Sequence, residues 1–223
     1  RHDSQLGWGV TLKEHWDPAL PIRGFEVENA HPRFRPAREA LASGAYDALV
    51  VTEMVEIRDA IRHFDSARHL ARWAALGRSA RPDLRVYLYE TWHRRDDPEG
   101  WLERIALDRS RYWEDALLRP AMRAGGILSP LNRMPRAGAG TIHVIPAGQA
   151  LAAVVRRIEA EDGGIGGLSR REQLFSTDEA GATDMIHLND IGAYLVALTH
   201  FAVLYHRDPL GLPHRLMRAD GTP

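Results

Sequence analysis

The chain contains no cysteine. Disulfide staples, a thiolate nucleophile and a cysteine-ligated zinc site are therefore excluded. It is also nearly without lysine: of 29 basic residues only Lys13 is not arginine. With abundant Ala and Gly, that bias matches GC-rich bacterial codon usage better than an arginine-built anion site. An excess of either charge is missing as well, since 29 basic side chains meet 30 acidic ones. A nucleic-acid binder working through a broad cationic face would be markedly basic, so no nucleic-acid partner is expected. No apolar run approaches the roughly 18 residues of a spanning helix, so no membrane span is expected.

What is present suits one folded domain. The 223 residues are 44% hydrophobic and 26% charged, which excludes global disorder. Short apolar runs alternate with segments of helical period, the pattern of βαβ units on a parallel sheet. Strands are expected at 47–52, 86–91 and 141–145, adjacent and parallel. A helix over Arg35 to Leu41 should stop at Ser43-Gly44. One helix carrying Ile57, Ile61, Phe64 and Ala71 should end near Gly77, with Pro82 beyond it. Trp101, Leu102, Ile105 and Leu117 predict a helix to about Leu118, followed by a loop from Gly125 to Gly140. Pro146-Ala-Gly148 should turn the third strand into a helix through Ile158. Ile191, Leu195, Leu198, Ala202 and Tyr205 mark the last helix, capped by Asn189 or Asp190. His2 to Leu6 and Phe25 to Glu28 are extended candidates on either side of the Gly7-Trp8-Gly9 turn.

The strongest chemical constellation is Asp184-Met-Ile-His187, read as a turn before the last helix. Three-residue spacing lets the carboxylate reach the later imidazole, fix its tautomer and stabilise the imidazolium in general-base work. An exposed turn with a capping aspartate is the plainer alternative. Gly163-Gly-Ile-Gly-Gly167 lacks the lysine of a phosphate loop and reads as a surface loop. His63 and His69 do not form a zinc motif, and no metal site is expected. Trp92-His93 follows a strand end. It suits either a pocket wall or a packed tryptophan beside an exposed histidine. Arg94-Arg95 with Asp96-Asp97 reads as a solvated turn.

Asp184-x-x-His187-x4-Gly192-x-Tyr194-Leu195, leading into an amphipathic helix, resembles the last block of SGNH (GDSL-type) esterases. So does the run after it, Val203-Leu-Tyr205 with Asp208-Pro209-Leu-Gly211-Leu. Tyr46-Asp-Ala-Leu-Val-Val-Thr52-Glu53, Val86-Tyr-Leu-Tyr-Glu90-Thr91-Trp92 and Ile145-Pro146-Ala-Gly148 look like the third to fifth strands of an uncharacterised bacterial branch. The resemblance runs from about Gly7 to Leu212. It implies an α/β fold, a flavodoxin-like three-layer α/β/α sandwich with a mostly parallel five-stranded sheet. The site would lie at the strands' C-terminal ends.

Carried over block by block, the resemblance makes Asp184 and His187 the catalytic pair. Gly9, with Gly7 a poorer match, would supply an oxyanion amide. The third block normally offers an asparagine, and here Thr52-Glu53-Met54 stands instead. Thr52, Glu53 and Trp92 are then pocket residues, and Glu53 could instead hydrogen-bond the N-terminal segment. The family serine follows the first strand, ahead of the oxyanion glycine. Ser4 has too few residues before it to sit on such a strand. The resemblance therefore places the first strand, the serine and the first helix upstream of Arg1, with residues 1–223 the rest of a single domain. The implied activity is serine hydrolysis of a small ester substrate, such as an O-acyl carbohydrate, with no cofactor. The alternative is a non-catalytic SGNH-fold binding or scaffold protein.

Overall fold

The computed structural model describes residues 2–124 and 139–217. The expected glycine loop falls, from Gly125 to residue 138, outside the described residues. Three short helices open the chain: α1 (Leu12–Trp16), α2 (Phe25–Glu28) and α3 (Ala37–Ala42). Thr11 and Glu14 cap α1 reciprocally, each side chain accepting from the other's backbone N–H. Past α3, Gly44 takes a φ of 64°, the left-handed stop expected of a glycine there.

The centre is a parallel three-stranded sheet of β1 (Ala48–Val51), β2 (Arg85–Glu90) and β3 (Ile142–Pro146), in that order. Leu49 pairs with Val86, and Leu88 with Val144. These are the three strands expected from the sequence, adjacent and parallel as expected. β1 and β2 are joined through α4 (Ile57–Phe64) and α5 (Ser66–Ala80). β2 and β3 are joined through α6 (Trp101–Asp108), a π-helical stretch over Arg109–Leu118, and α7 (Arg119–Ala124). After β3 come α8 (Ala147–Ala160), an antiparallel hairpin of β4 (Phe175–Thr177) and β5 (Thr183–Leu188), and α9 (Asp190–Tyr205).

Alternation along each strand divides the sheet's two faces. Leu49, Val51, Val86, Leu88 and Ile142 pack with Leu41, Leu70, Trp73 and Ala74 of α3 and α5. Tyr89 points the other way, its ring 4.6 Å from that of His200 on α9. A second cluster, Trp101, Ile105, Leu151, Val155 and Phe175, joins α6, α8 and the hairpin.

Several expectations are corrected. The helix after β1 is two helices, broken at Asp65, whose φ of 51° is left-handed. Gly77 does not stop α5. It lies inside it, where a Cβ would meet Leu84 at 2.3 Å, so the glycine admits close packing. Phe25 to Glu28 is a helical turn, not extended, and His2 to Leu6 makes only one parallel bridge, Ser4 to Phe34. The helix from Trp101 runs on to Ala124 through its π-helical middle, which keeps Trp113 and Leu117 buried. Among the described residues the main sheet has three strands.

Candidate active site

β1 delivers Thr52 and Glu53 to the C-terminal edge of the sheet. The Thr52 hydroxyl donates to the Tyr89 carbonyl at 2.8 Å, tying the exits of β1 and β2 together. Glu53 is buried, and its carboxylate accepts from the Leu12 N–H at 3.4 Å and the Met54 N–H at 3.1 Å. Loss of hydration in that position pushes the carboxyl up to about 7. Glu53 thus ties the start of α1, three residues past Gly9, to the end of β1. Gly9 has a φ of 54°, and its carbonyl accepts from Arg23 at 2.9 Å. The sequence alternative for Glu53, a hydrogen bond to the N-terminal segment, is what the structure shows.

β2 delivers a second set. Glu90 is buried and accepts from the Gln149 side chain at 2.8 Å at the start of α8, and burial pushes it too up to about 7. The Trp92 indole N–H donates to the Ile186 carbonyl at 2.8 Å. His93 is buried rather than exposed, with Nε2 3.3 Å from Asp108, and burial pulls its pKa below the usual value.

Asp184 and His187 lie on β5, not on a turn. Asp184 Oδ1 accepts from the Ile186 and His187 N–H groups at 2.6 and 2.7 Å, and Oδ2 lies 2.9 Å from His187 Nδ1. The His187 amide, the imidazole and the Ile186 amide together hold the Asp184 carboxyl far below the usual carboxylate range. A proton on Nδ1 satisfies the aspartate and leaves Nε2 as an acceptor. The His187 side chain is 77% exposed, so Nε2 faces solvent. Ser4 is held over Arg33 and Arg35, donating its N–H to the Arg33 carbonyl at 2.9 Å, rather than at the exit of a sheet strand.

No protein-family profile, curated protein or solved structure matches this chain. The site is therefore read from its own geometry, which has two halves. Thr52 and Glu53 stand at the exit of β1, where Glu53 holds the Leu12 N–H, three residues past Gly9. Trp92, Asp184 and His187 gather at the exit of β2.

The residue that sequence reading missed is Arg95. Its guanidinium donates to the Asp184 carbonyl through Nε at 3.1 Å and Nη2 at 3.0 Å, reaches the Thr183 carbonyl at 3.3 Å, and pairs with Glu172 at 2.9 Å. Its own N–H donates to the Met185 carbonyl at 2.8 Å. With Trp92 it grips the carbonyls of residues 183 to 186 in succession. The expected solvated turn holds for Arg94 with Asp96, whereas Arg95 is 9% exposed and Asp97 is paired with Arg104 at 2.6 Å. Nothing in Arg94-Arg95-Asp96-Asp97 distinguishes these partners, since the hairpin that buries Arg95 arrives from far along the chain.

Proposed function

We propose that this protein is a serine-esterase-like hydrolase of the SGNH type, acting on an ester such as an O-acyl carbohydrate. One observation carries the reading: a hydrogen-bonded Asp184–His187 pair whose outer nitrogen is open, held over the exit of a parallel strand by Trp92 and Arg95. In this scheme a serine hydroxyl attacks the ester carbonyl and His187 Nε2 takes its proton. The Gly9 amide steadies the oxyanion. The C–O bond to the alcohol then breaks as His187 returns the proton to it, and water releases the acyl group by the same steps in reverse. No cofactor enters this scheme.

The serine belongs, on this reading, to a further strand beside the open side of β1, in a flavodoxin-like sheet larger than the three described strands. Two features support such a segment. Among the described residues β1 is paired on one side only, and Val50 on it is 38% exposed. α9 is mostly apolar, with Asp190, Thr199 and His200 among its few polar residues, yet of its residues only Gly192 is fully buried. An open parallel edge beside a half-covered apolar helix is the place for a further strand and helix.

The test is hydrolysis of a short-chain aryl ester by the full-length protein, beside its His187→Ala variant, with circular dichroism as a fold check. The variant should lose about 10³-fold or more in turnover. Equal enzymatic rates from two folded proteins would remove His187 as the base. No activity from either, across several acyl lengths, would favour the second reading, a non-catalytic binding or scaffold protein. Glu53 favours that second reading: it stands where the family has an asparagine, and its oxygens accept from protein N–H groups instead of donating to an oxyanion.

A further inference from the structure

The N-terminal region holds a cleft of about 650 Å³ between the Gly7-Trp8-Gly9 turn, α1, α2 and α3. That volume lies in the range of small-molecule sites. At its rim Trp8 is 54% exposed, yet it is fixed at two points. Its indole N–H donates to Glu28 at 2.6 Å. One ring face rests on Gly24, where a Cβ would stand 2.3, 2.5 and 2.6 Å from three ring atoms, so only a glycine lets the indole lie flat. A large apolar ring is thus held still at the edge of the cleft, with more than half of its surface exposed.

The other aromatic groups are already engaged. Arg38 lies over the Trp16 ring at 4.1 Å and donates to the Trp16 carbonyl at 2.6 Å, and Trp16 packs edge-on against Trp73. The charged lining carries both signs, with Glu14, Asp17 and Glu26 against Arg38. A ligand ion of either sign therefore meets a like charge. A neutral ligand with one apolar face and several hydroxyl groups meets a stacking surface and hydrogen-bonding partners of both kinds.

The geometry points to a glycan-binding subsite in this cleft, with a pyranose ring stacked on Trp8. Because Gly9 follows Trp8 directly, a sugar there would sit next to the turn assigned to the oxyanion. As the alcohol half of an ester substrate, this assignment rests on the esterase reading. The binding itself does not require turnover.

The experiment measures binding of xylohexaose, cellohexaose and N-acetylchitohexaose, bare and chemically O-acetylated, by calorimetry and indole fluorescence. It uses the full-length protein as wild type, Trp8→Phe, Trp8→Leu and Trp8→Ala, each checked by circular dichroism. At least one oligosaccharide should bind saturably. Trp8→Phe should keep most of the affinity, while Trp8→Leu and Trp8→Ala should weaken it about tenfold or more. No binding at millimolar sugar, or equal affinity in Trp8→Leu, would overturn the subsite. So would Trp8-dependent binding of tetramethylammonium without any sugar, which would make this a cation site. An inactive protein that binds sugar through Trp8 keeps the subsite and sinks the esterase. An active protein whose sugar binding ignores Trp8 does the reverse.

Discussion

Glu53 and Glu90 end two adjacent parallel strands, and burial lifts both carboxyl groups from an ordinary 4.5 to about 7. At low pH both are protonated in the folded and unfolded chain alike. Between about 4.5 and 7 the unfolded chain releases protons that the folded one keeps, so stability falls as pH rises through that window. At the limit each group costs roughly 3 kcal/mol above pH 7. Thermal melts should therefore show a lower midpoint at pH 8 than at pH 5, and Glu53→Gln should reduce that difference. Wild type and variant with parallel pH profiles would show that Glu53 is not the source. The Asp184–His187 pair was legible in the sequence because both its partners lie within one short stretch. The burial of Glu53 and Arg95 was not, since it is created by segments remote in sequence: Leu12 for one, the hairpin for the other.

At the scale of elements, the strands of the parallel sheet and helices α8 and α9 could be read from apolar runs and helical period, and Asn189 indeed caps α9, accepting from Ile191 and Gly192. The hairpin could not. β4 has three residues, too few to show a period, and the local bonding of Asp184 resembles a turn. The break at Asp65 was hidden for a related reason: a single left-handed residue leaves the apolar spacing on either side almost intact. The hairpin's dependence on Arg95 gives a test. Arg95→Met removes charged hydrogen bonds to the Thr183 and Asp184 carbonyls and should lower stability by about 2 kcal/mol. Hydrogen exchange at residues 183–188 should quicken well beyond that at β1 and β2. Uniform quickening through the whole chain would show that Arg95 supports the fold generally and not this strand.

For the molecule as a whole, the open side of β1 is a surface prone to association, and Ile191, Tyr205, Leu210, Leu216 and Met217 add exposed apolar area near the C-terminus. Residues 1–223 alone should associate as concentration rises, and Val50→Lys, which sets a charge on that edge, should keep the chain monomeric longer in light scattering. Identical masses for both across the same range would exclude the edge as the contact. The arrangement of pairings also bears on how the chain folds. Leu49 meets Val86, and Tyr87 meets His143, only after complete helical crossovers have been closed, whereas Phe175 and Leu188 are joined by a short turn. Loop-closure entropy delays the distant pairings and spares the near one. The hairpin that carries Asp184 and His187 can therefore form while the sheet beneath it is still being searched for. It then waits as a preassembled part, and gains its place over β2 when Trp92 and Arg95 arrive to hold it.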